Sequence, residues 1–184
     1  MSLGLAIADG KRICLAIDRK GINCPQGKPP IPSKLISLQT APEIKMLVTG
    51  GLDHWREVLR KFTPKATLDD ARDEIIKLLE EVTECCNEAC ALILGCKAGT
   101  PICYRVNKLE HQSLDNRTGK IAQSLVDPQP IGMFASEAVC EINRLIANKV
   151  CKEQAVKMAI EYCINLGSNA GYLEGPVDIF VMTC

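Results

Sequence analysis

The sequence predicts an α+β fold in four layers, an αββα sandwich with two stacked β-sheets between two pairs of helices. The predicted elements follow the order strands, two helices, strands, two helices and a final strand. Residues 90–95 form a short, wholly apolar run, which suits a strand covered on both faces. Two apolar runs joined at Asp9-Gly10 predict a hairpin that starts almost at the first residue. The length of 184 residues predicts one domain, 1–184.

Alternating apolar residues and turn residues define the remaining strands. They are expected at 3–8, 12–17, 34–38, 44–48, 90–95, 102–106, 108–114, 121–126 and 176–183. Residues 127–130 contain two prolines and are expected to be irregular.

Apolar residues at helical spacing predict four helices, at 52–62, 67–87, 136–148 and 151–166. Pro64 separates the first two, because proline lacks a backbone donor and displaces the preceding residue from helical geometry. Thr67 and Ser136 are the expected N-terminal caps of the second and third helices.

Composition excludes several classes of partner. Apolar residues make up 47% of the chain and charged residues 24%, the net charge is zero and the pI is near 6.7, so nothing favours a nucleic-acid partner. No apolar run approaches the roughly 20 residues that a membrane span needs. No signal peptide is recognisable, so the expected location is the cytoplasm, without contact with a membrane.

The 11 cysteines form no zinc-binding pattern. The densest group, Cys85, Cys86, Cys90 and Cys96, has no histidine nearby, and no CxxC pair occurs. We therefore expect no metal site and no cofactor. The cysteines are interpreted as small buried apolar residues in a reducing compartment, with structural disulfides or a metal site as the alternatives.

Three polar residues recur at equal spacing along the first strands. Asp18 follows Ser2 by 16 positions, and Lys34 follows Asp18 by another 16. In a hairpin, the start of the first strand lies beside the end of the second. If the third strand is adjacent in the same sheet, the three side chains meet at one sheet edge.

This trio can support nucleophilic chemistry if Met1 is removed. Ser2 would then carry a hydroxyl and a free α-amine, whose reference pKa of about 8 makes it a base near neutral pH. The Lys34 ammonium would lower the pKa of that amine, and Asp18 would orient Lys34. Gly50 and Gly51, between a strand and a helix, could present backbone N–H groups to an oxyanion.

The other reactive residues are isolated. His54 lies on a helix face that is expected to be exposed, and His111 lies in a polar strand. No phosphate-binding glycine loop or pair of catalytic carboxylates is present. Isolated histidines of this kind are not expected to be catalytic.

Three sequence pieces together resemble the proteasome subunits and their bacterial and archaeal relatives. They are Leu15-Ala-Ile-Asp18-Arg19, Ser33-Lys34-Leu35 and Val48-Thr-Gly-Gly-Leu-Asp53. The resemblance extends to the end of the chain, through Leu92-Ile-Leu-Gly95, Glu153-Gln-Ala155 and Gly175-Pro-Val-Asp-Ile179.

The resemblance implies an αββα sandwich of the N-terminal-nucleophile (Ntn) hydrolases, acting on peptides or other amides and assembling into rings or homo-oligomers. Ser2 stands where catalytic members have threonine, and Asp18 and Lys34 occupy the positions of their aspartate and lysine. Ser136 corresponds loosely to a supporting serine of the family.

Two departures keep a second function open. The family's Asp-Ser-x-Ser-Gly stretch reads Gly167-Ser-Asn-Ala-Gly171 here, without the aspartate, and the start reads Met-Ser-Leu instead of a run of threonines. The alternative is a catalytically inactive subunit with a structural role in an assembly.

Overall fold

The computed structural model describes residues 2–18, 34–50, 52–82, 89–108, 119, 122–167, 173 and 176–184. Its strands are β1 (Leu3–Asp9), β2 (Arg12–Asp18), β3 (Leu35–Thr40), β4 (Glu43–Gly50), β5 (Ala89–Lys97), β6 (Thr100–Lys108), β7 (Gln123–Ser124), β8 (Gln129–Gly132) and β9 (Val177–Thr183). Its helices are α1 (Leu52–Lys61), α2 (Leu68–Glu81), α3 (Ala135–Ala147) and α4 (Lys152–Gly167).

The strands form two antiparallel sheets. The first has the order β8-β1-β2-β9, and the second has the order β3-β4-β5-β6-β7. The predicted β1–β2 hairpin is confirmed, with Asp9 opposite Arg12 and a two-residue loop between them. Gly10 opens that loop at a φ of 63°, a left-handed conformation that glycine adopts without steric cost.

Three apolar clusters fill the spaces between four layers. Leu47, Leu92 and Ile17 belong to the cluster between the two sheets. The outer face of the second sheet packs on α1 and α2, and the outer face of the first sheet packs on α3 and α4. The predicted αββα sandwich is therefore confirmed.

Several predicted boundaries are wrong. Helix α2 ends at Glu81 instead of continuing to Asn87, because Val82 is extended and Lys108 Nζ bonds the carbonyls of Leu79 (2.5 Å) and Val82 (2.6 Å). Thr67 caps this helix as predicted, accepting from the Asp70 N–H at 3.1 Å.

The chain between β7 and α3 also differs from the prediction. Residues expected to be irregular form β8, where Pro130 pairs with Leu5. Proline is tolerated there because β8 is an edge strand. The predicted strand at 121–126 shortens to β7, and the one predicted at 108–114 lies outside the described residues except for Lys108, which ends β6.

The third strand is not adjacent to the hairpin. β3 lies at the edge of the second sheet, where it pairs with β4. Lys34, the residue before β3, nevertheless contacts Asp18 at the end of β2, because the two sheets are stacked face to face. The predicted meeting of the trio at one edge of a single sheet is replaced by a meeting across the two sheets.

Side chains also join the sheets at other places. Lys45 Nζ lies 4.2 Å from the centre of the Phe180 ring on one side, and Arg105 donates to the carbonyl of Pro130 on the other.

Cys96 and Cys184 form a disulfide at the end of the sandwich opposite Asp18. For these two residues the interpretation as free thiols is wrong, whereas Cys14, Cys103 and Cys163 are buried free thiols as expected.

Candidate active site

Asp18 is the centre of the site. It ends β2, it is 1% exposed, and its two carboxylate oxygens have different partners. Oδ1 accepts from the backbone N–H of Leu3 at 2.8 Å, and Oδ2 accepts from Lys34 Nζ at 3.1 Å. One carboxylate therefore joins the start of β1 to the start of β3.

Lys34 is held by the stacking of the two sheets. Its ammonium also donates to the backbone carbonyl of Asp18 at 3.3 Å, and its own carbonyl accepts from the Val48 N–H at 2.9 Å. The side chain is 6% exposed. A buried ammonium needs a paired carboxylate, and Asp18 supplies one.

Ser2 is fixed at its backbone from two sides. Its carbonyl accepts from the Met133 N–H at 2.9 Å, and the next N–H along the chain, that of Leu3, is the one bound to Asp18. The residue is 8% exposed. The Leu3 N–H donates to Asp18, whose carboxylate also binds Lys34. Ser2 therefore directly precedes a residue that is bonded to the ion pair.

Gly132 gives Ser2 this position, and sequence reasoning missed its role. It ends β8 opposite Leu3 at a φ of 92°, and a Cβ built on it would overlap the Ser2 carbonyl oxygen. Phe134 follows in a left-handed conformation, with a φ of 57° and a ψ of 26°. Sparsely populated backbone conformations of this kind tend to cluster at functional sites. A glycine between a predicted strand end and a helix start was the available signal.

Close approach of the sheets brings β1 over β4. A Cβ added at Gly4 would lie 3.5 Å from Leu47 Cδ1 in the second sheet and 3.3 Å from Ile131 in β8. The start of β1 therefore lies within ordinary contact distance of β4, and the tighter contact that glycine relieves is with Ile131. Gly50 lies beyond Leu47 at the end of that same strand.

The predicted oxyanion residues are only partly described. Gly50 ends β4 at a φ of 64°, a conformation suited to glycine, and α1 begins at Leu52. Gly51 lies outside the described residues. Ser136 lies in the first turn of α3 and is exposed, and it does not cap the helix as predicted, because Phe134 occupies the cap position without a side-chain bond.

Other candidate residues do not add to the site. His54 is buried, 7% exposed, so the predicted exposed face is wrong. His111 lies outside the described residues. Within the described ranges, no group of three or more histidine, cysteine or acidic side chains is arranged to hold a metal ion. Among the helices in those ranges, none combines the length and apolar character of a membrane span.

Comparison with known proteins identifies the fold. No protein-family model matches the sequence, and no curated protein matches it. Among solved structures, eukaryotic HslV from Trypanosoma brucei matches with a TM-score of 0.60 and 14% identity, over 99% of each chain. BPH from Thiobacillus denitrificans in complex with epoxomicin matches with a TM-score of 0.59 and 14% identity, over 100% of this chain and 98% of BPH.

The chain has the proteasome-like fold. The predicted resemblance is thereby confirmed for the architecture, since both neighbours are of the HslV and proteasome type. At 14% identity the likeness extends to the fold alone. A chemical role for the candidate site must be argued from this chain's own residues.

Proposed function

We propose that this chain is a proteasome-related Ntn amidohydrolase or peptidase in which Ser2 is the nucleophile. Removal of Met1 frees the α-amine of Ser2, which takes the proton from its own hydroxyl, directly or through a water. The serine oxygen then attacks the carbonyl of a peptide or other amide. The domain 1–184 acts in the cytoplasm as part of a homo-oligomer or ring, without cofactor, metal, nucleic acid or membrane.

Each remaining group has a part in the reaction. Lys34 lowers the pKa of the Ser2 amine by like charge and stabilises developing negative charge, and Asp18 keeps Lys34 charged and oriented. Backbone N–H groups of Gly50 and Gly51 bind the oxyanion of the tetrahedral intermediate. The intermediate collapses as the α-ammonium protonates the departing amine, leaving an ester on Ser2. Water, deprotonated by the α-amine, hydrolyses that ester.

This proposal rests on one observation, which is that the Asp18 carboxylate binds both the backbone of β1 and the Lys34 ammonium. One carboxylate oxygen accepts from the N–H of Leu3, the residue after Ser2, at 2.8 Å. The other oxygen accepts from the Lys34 ammonium at 3.1 Å, so both groups are held by the same side chain. The bond from the Leu3 N–H satisfies the first of these oxygens of the buried carboxylate and fixes the start of β1 on the group that pairs with Lys34. The burial of Ser2, Asp18 and Lys34 further supports a pre-organised site.

The test uses epoxomicin, the compound present in the BPH complex. The chain is produced in two forms, one starting at Ser2 after release from an N-terminal fusion and one retaining Met1. Both are incubated with epoxomicin and followed by intact mass. We expect an adduct only on the form that starts at Ser2.

Matched variants separate chemistry from folding. Ser2→Ala should abolish the adduct, and Ser2→Thr should preserve it, because threonine offers the same hydroxyl and amine. Ser136→Ala should slow the reaction less than tenfold, in keeping with its exposed position. Lys108→Met removes a half-buried lysine that bonds the end of α2 and should leave labelling unchanged. Equal labelling of Ser2→Ala and the unsubstituted chain would refute the nucleophile.

The second candidate is a catalytically inactive subunit that acts in an assembly, and one surface supports assembly for this candidate as for the first. Met158, Tyr162 and Leu166 are exposed on successive turns of α4 and form an apolar stripe. Stripes of this kind are typical of protein–protein contacts. Native mass spectrometry distinguishes the roles: an oligomer that never labels with epoxomicin supports the structural role, and a strict monomer excludes it.

A further inference from the structure

We propose that Cys96 and Cys184 form a thiol–disulfide exchange site that latches the last strand, β9, onto the second sheet. The disulfide joins the penultimate residue of β5 to the residue after β9, with 5.3 Å between the two Cα atoms. The bond therefore crosses from one sheet to the other. It lies at the hairpin end of the sandwich, away from Asp18.

The strand held by this bond has only one hydrogen-bonded neighbour among the described strands. β9 is an edge strand, paired on one side with β2 from Arg12↔Thr183 to Asp18↔Val177. Beyond that pairing, Cys184 donates its N–H to the Lys11 carbonyl at 2.7 Å. Loss of the disulfide leaves the end of the strand to backbone bonds with a single neighbour, so fraying should begin at Thr183.

Three of the other described thiols differ from this pair in being buried. Burial raises the pKa of Cys14 to about 11 and the pKa values of Cys103 and Cys163 to about 12, so these thiols stay protonated and unreactive at neutral pH. Cys96 and Cys184 are partly exposed, which allows a small disulfide to reach them. Cys140 and Cys151 are exposed thiols of the α3–α4 layer.

The oxidant is a low-molecular-weight disulfide such as glutathione disulfide. One protein thiolate attacks it, forming a mixed disulfide and releasing one small thiolate. The second protein thiolate then attacks the mixed disulfide, closing the Cys96–Cys184 bond and releasing the second small thiolate. Two protein thiols are oxidised, one small disulfide is reduced to two thiols, and the two protons end on those thiols.

The latch makes the order of β9 depend on redox conditions. In an oxidising medium the end of the strand is covalently tied to the second sheet, and in a reducing medium it is held by its pairing with β2 and by the packing of Met182 between the sheets. The device does not require Ser2 to react, so it stands independently of the proposed hydrolase activity.

The test compares the full chain after glutathione disulfide and after a thiol reductant. Non-reducing peptide mapping should find the Cys96 peptide linked to the Cys184 peptide only after oxidation. Hydrogen exchange of the amides in 177–184 should be at least tenfold slower in the oxidised chain than in the reduced chain. The double variant Cys96→Ser, Cys184→Ser should exchange like the reduced chain under both conditions, and Cys140→Ser should behave like the unsubstituted chain.

Two outcomes would overturn the proposal. One is that oxidation leaves Cys96 and Cys184 as free thiols or as separate mixed disulfides with glutathione. The other is that the bond forms but exchange in 177–184 is the same in both redox states. The comparison of the oxidised and reduced unsubstituted chain needs no substitution, so it remains decisive if the double variant does not fold.

Discussion

Neutralising Asp18 should cost a large part of the stability of this chain. Its ion pair with Lys34 is almost fully buried, with the two side chains 0% and 6% exposed. Removing one partner of a buried pair leaves an uncompensated charge, which costs about 3–5 kcal/mol. Asp18→Asn keeps an acceptor for the Leu3 N–H but removes the negative charge beside the buried Lys34 ammonium, so we expect a loss in that range.

A double-mutant cycle isolates the pair. Lys34→Met should also cost about 3–5 kcal/mol, because it removes the ammonium that pairs with the buried Asp18 carboxylate. The double variant has no buried charge left to compensate, so its loss should be about 3 kcal/mol smaller than the sum of the two single losses. Urea unfolding followed by the fluorescence of Trp55, the single and fully buried tryptophan, measures all four chains.

An exposed pair provides the control. Lys157 and Glu161 lie 3.5 Å apart on the surface of α4, with both side chains nearly half exposed. Lys157→Met should cost no more than about 0.5 kcal/mol. Single losses under about 1 kcal/mol at Asp18 and Lys34, or strictly additive losses, would show that this pair behaves like a surface ion pair and would refute the reasoning.

Three further predictions concern other parts of the fold. Gly132→Ala should lower the free energy of unfolding by at least about 2 kcal/mol and prevent labelling of Ser2, because alanine is strained at a φ of 92° and its Cβ overlaps the Ser2 carbonyl. The bonds from Lys97 and then Tyr104 lower the pKa of Asp69 below its ordinary value of 3.8, so Asp69→Asn should destabilise the chain at pH 7 and lose that effect as the pH falls through the lowered pKa. Reduction of the disulfide, which closes a separation of 88 residues, should lower the stability by about 4.6 kcal/mol on the chain-entropy model.

Each of these has a direct check. Urea unfolding of Gly132→Ala should be compared with that of Gly99→Ala, which has a φ of 74° but nothing within 4 Å of its added Cβ. Equal losses would show that contact with Ser2 is unimportant. Urea midpoints at pH 7 and pH 2 test Asp69, and a constant difference from the unsubstituted chain would contradict the pKa argument. Unfolding with and without reductant tests the disulfide, and equal midpoints would show that the bond adds no stability.

Local pattern was sufficient to predict the layers of the sandwich. The β1–β2 hairpin follows from alternation and from Gly10, whose left-handed φ only glycine adopts freely. The four helices follow from the apolar stripes that pack on the sheets. These signals are contained in adjacent residues, so tertiary context did not have to be known.

The route by which Lys34 reaches Asp18 could not be predicted. Equal spacing along the chain does not distinguish a neighbour in one sheet from a neighbour in a stacked sheet. The strand at Lys34 belongs to the second sheet, and the contact arises across the sandwich. The same limit hid the disulfide, because Cys96 and Cys184 are far apart in sequence and meet only when the sheets stack.

The role of Gly132 was missed for a related reason. Its φ of 92° and its contact with the Ser2 carbonyl depend on pairing between β1 and β8, and residues 127–130, which include the start of β8, were expected to be irregular because of their two prolines. An edge position removes the penalty for Pro130, but a sequence does not state which strand lies at an edge.

Peptide mapping of the epoxomicin-treated chain tests the central claim most directly. The chain that starts at Ser2 is digested after reaction, and the modified residue is located by fragment masses. We predict that the adduct lies on Ser2 and that its rate of formation rises with an apparent pKa below the reference value of about 8 for an α-amine. An adduct on any other residue, or a folded chain that starts at Ser2 and never reacts, would contradict the account.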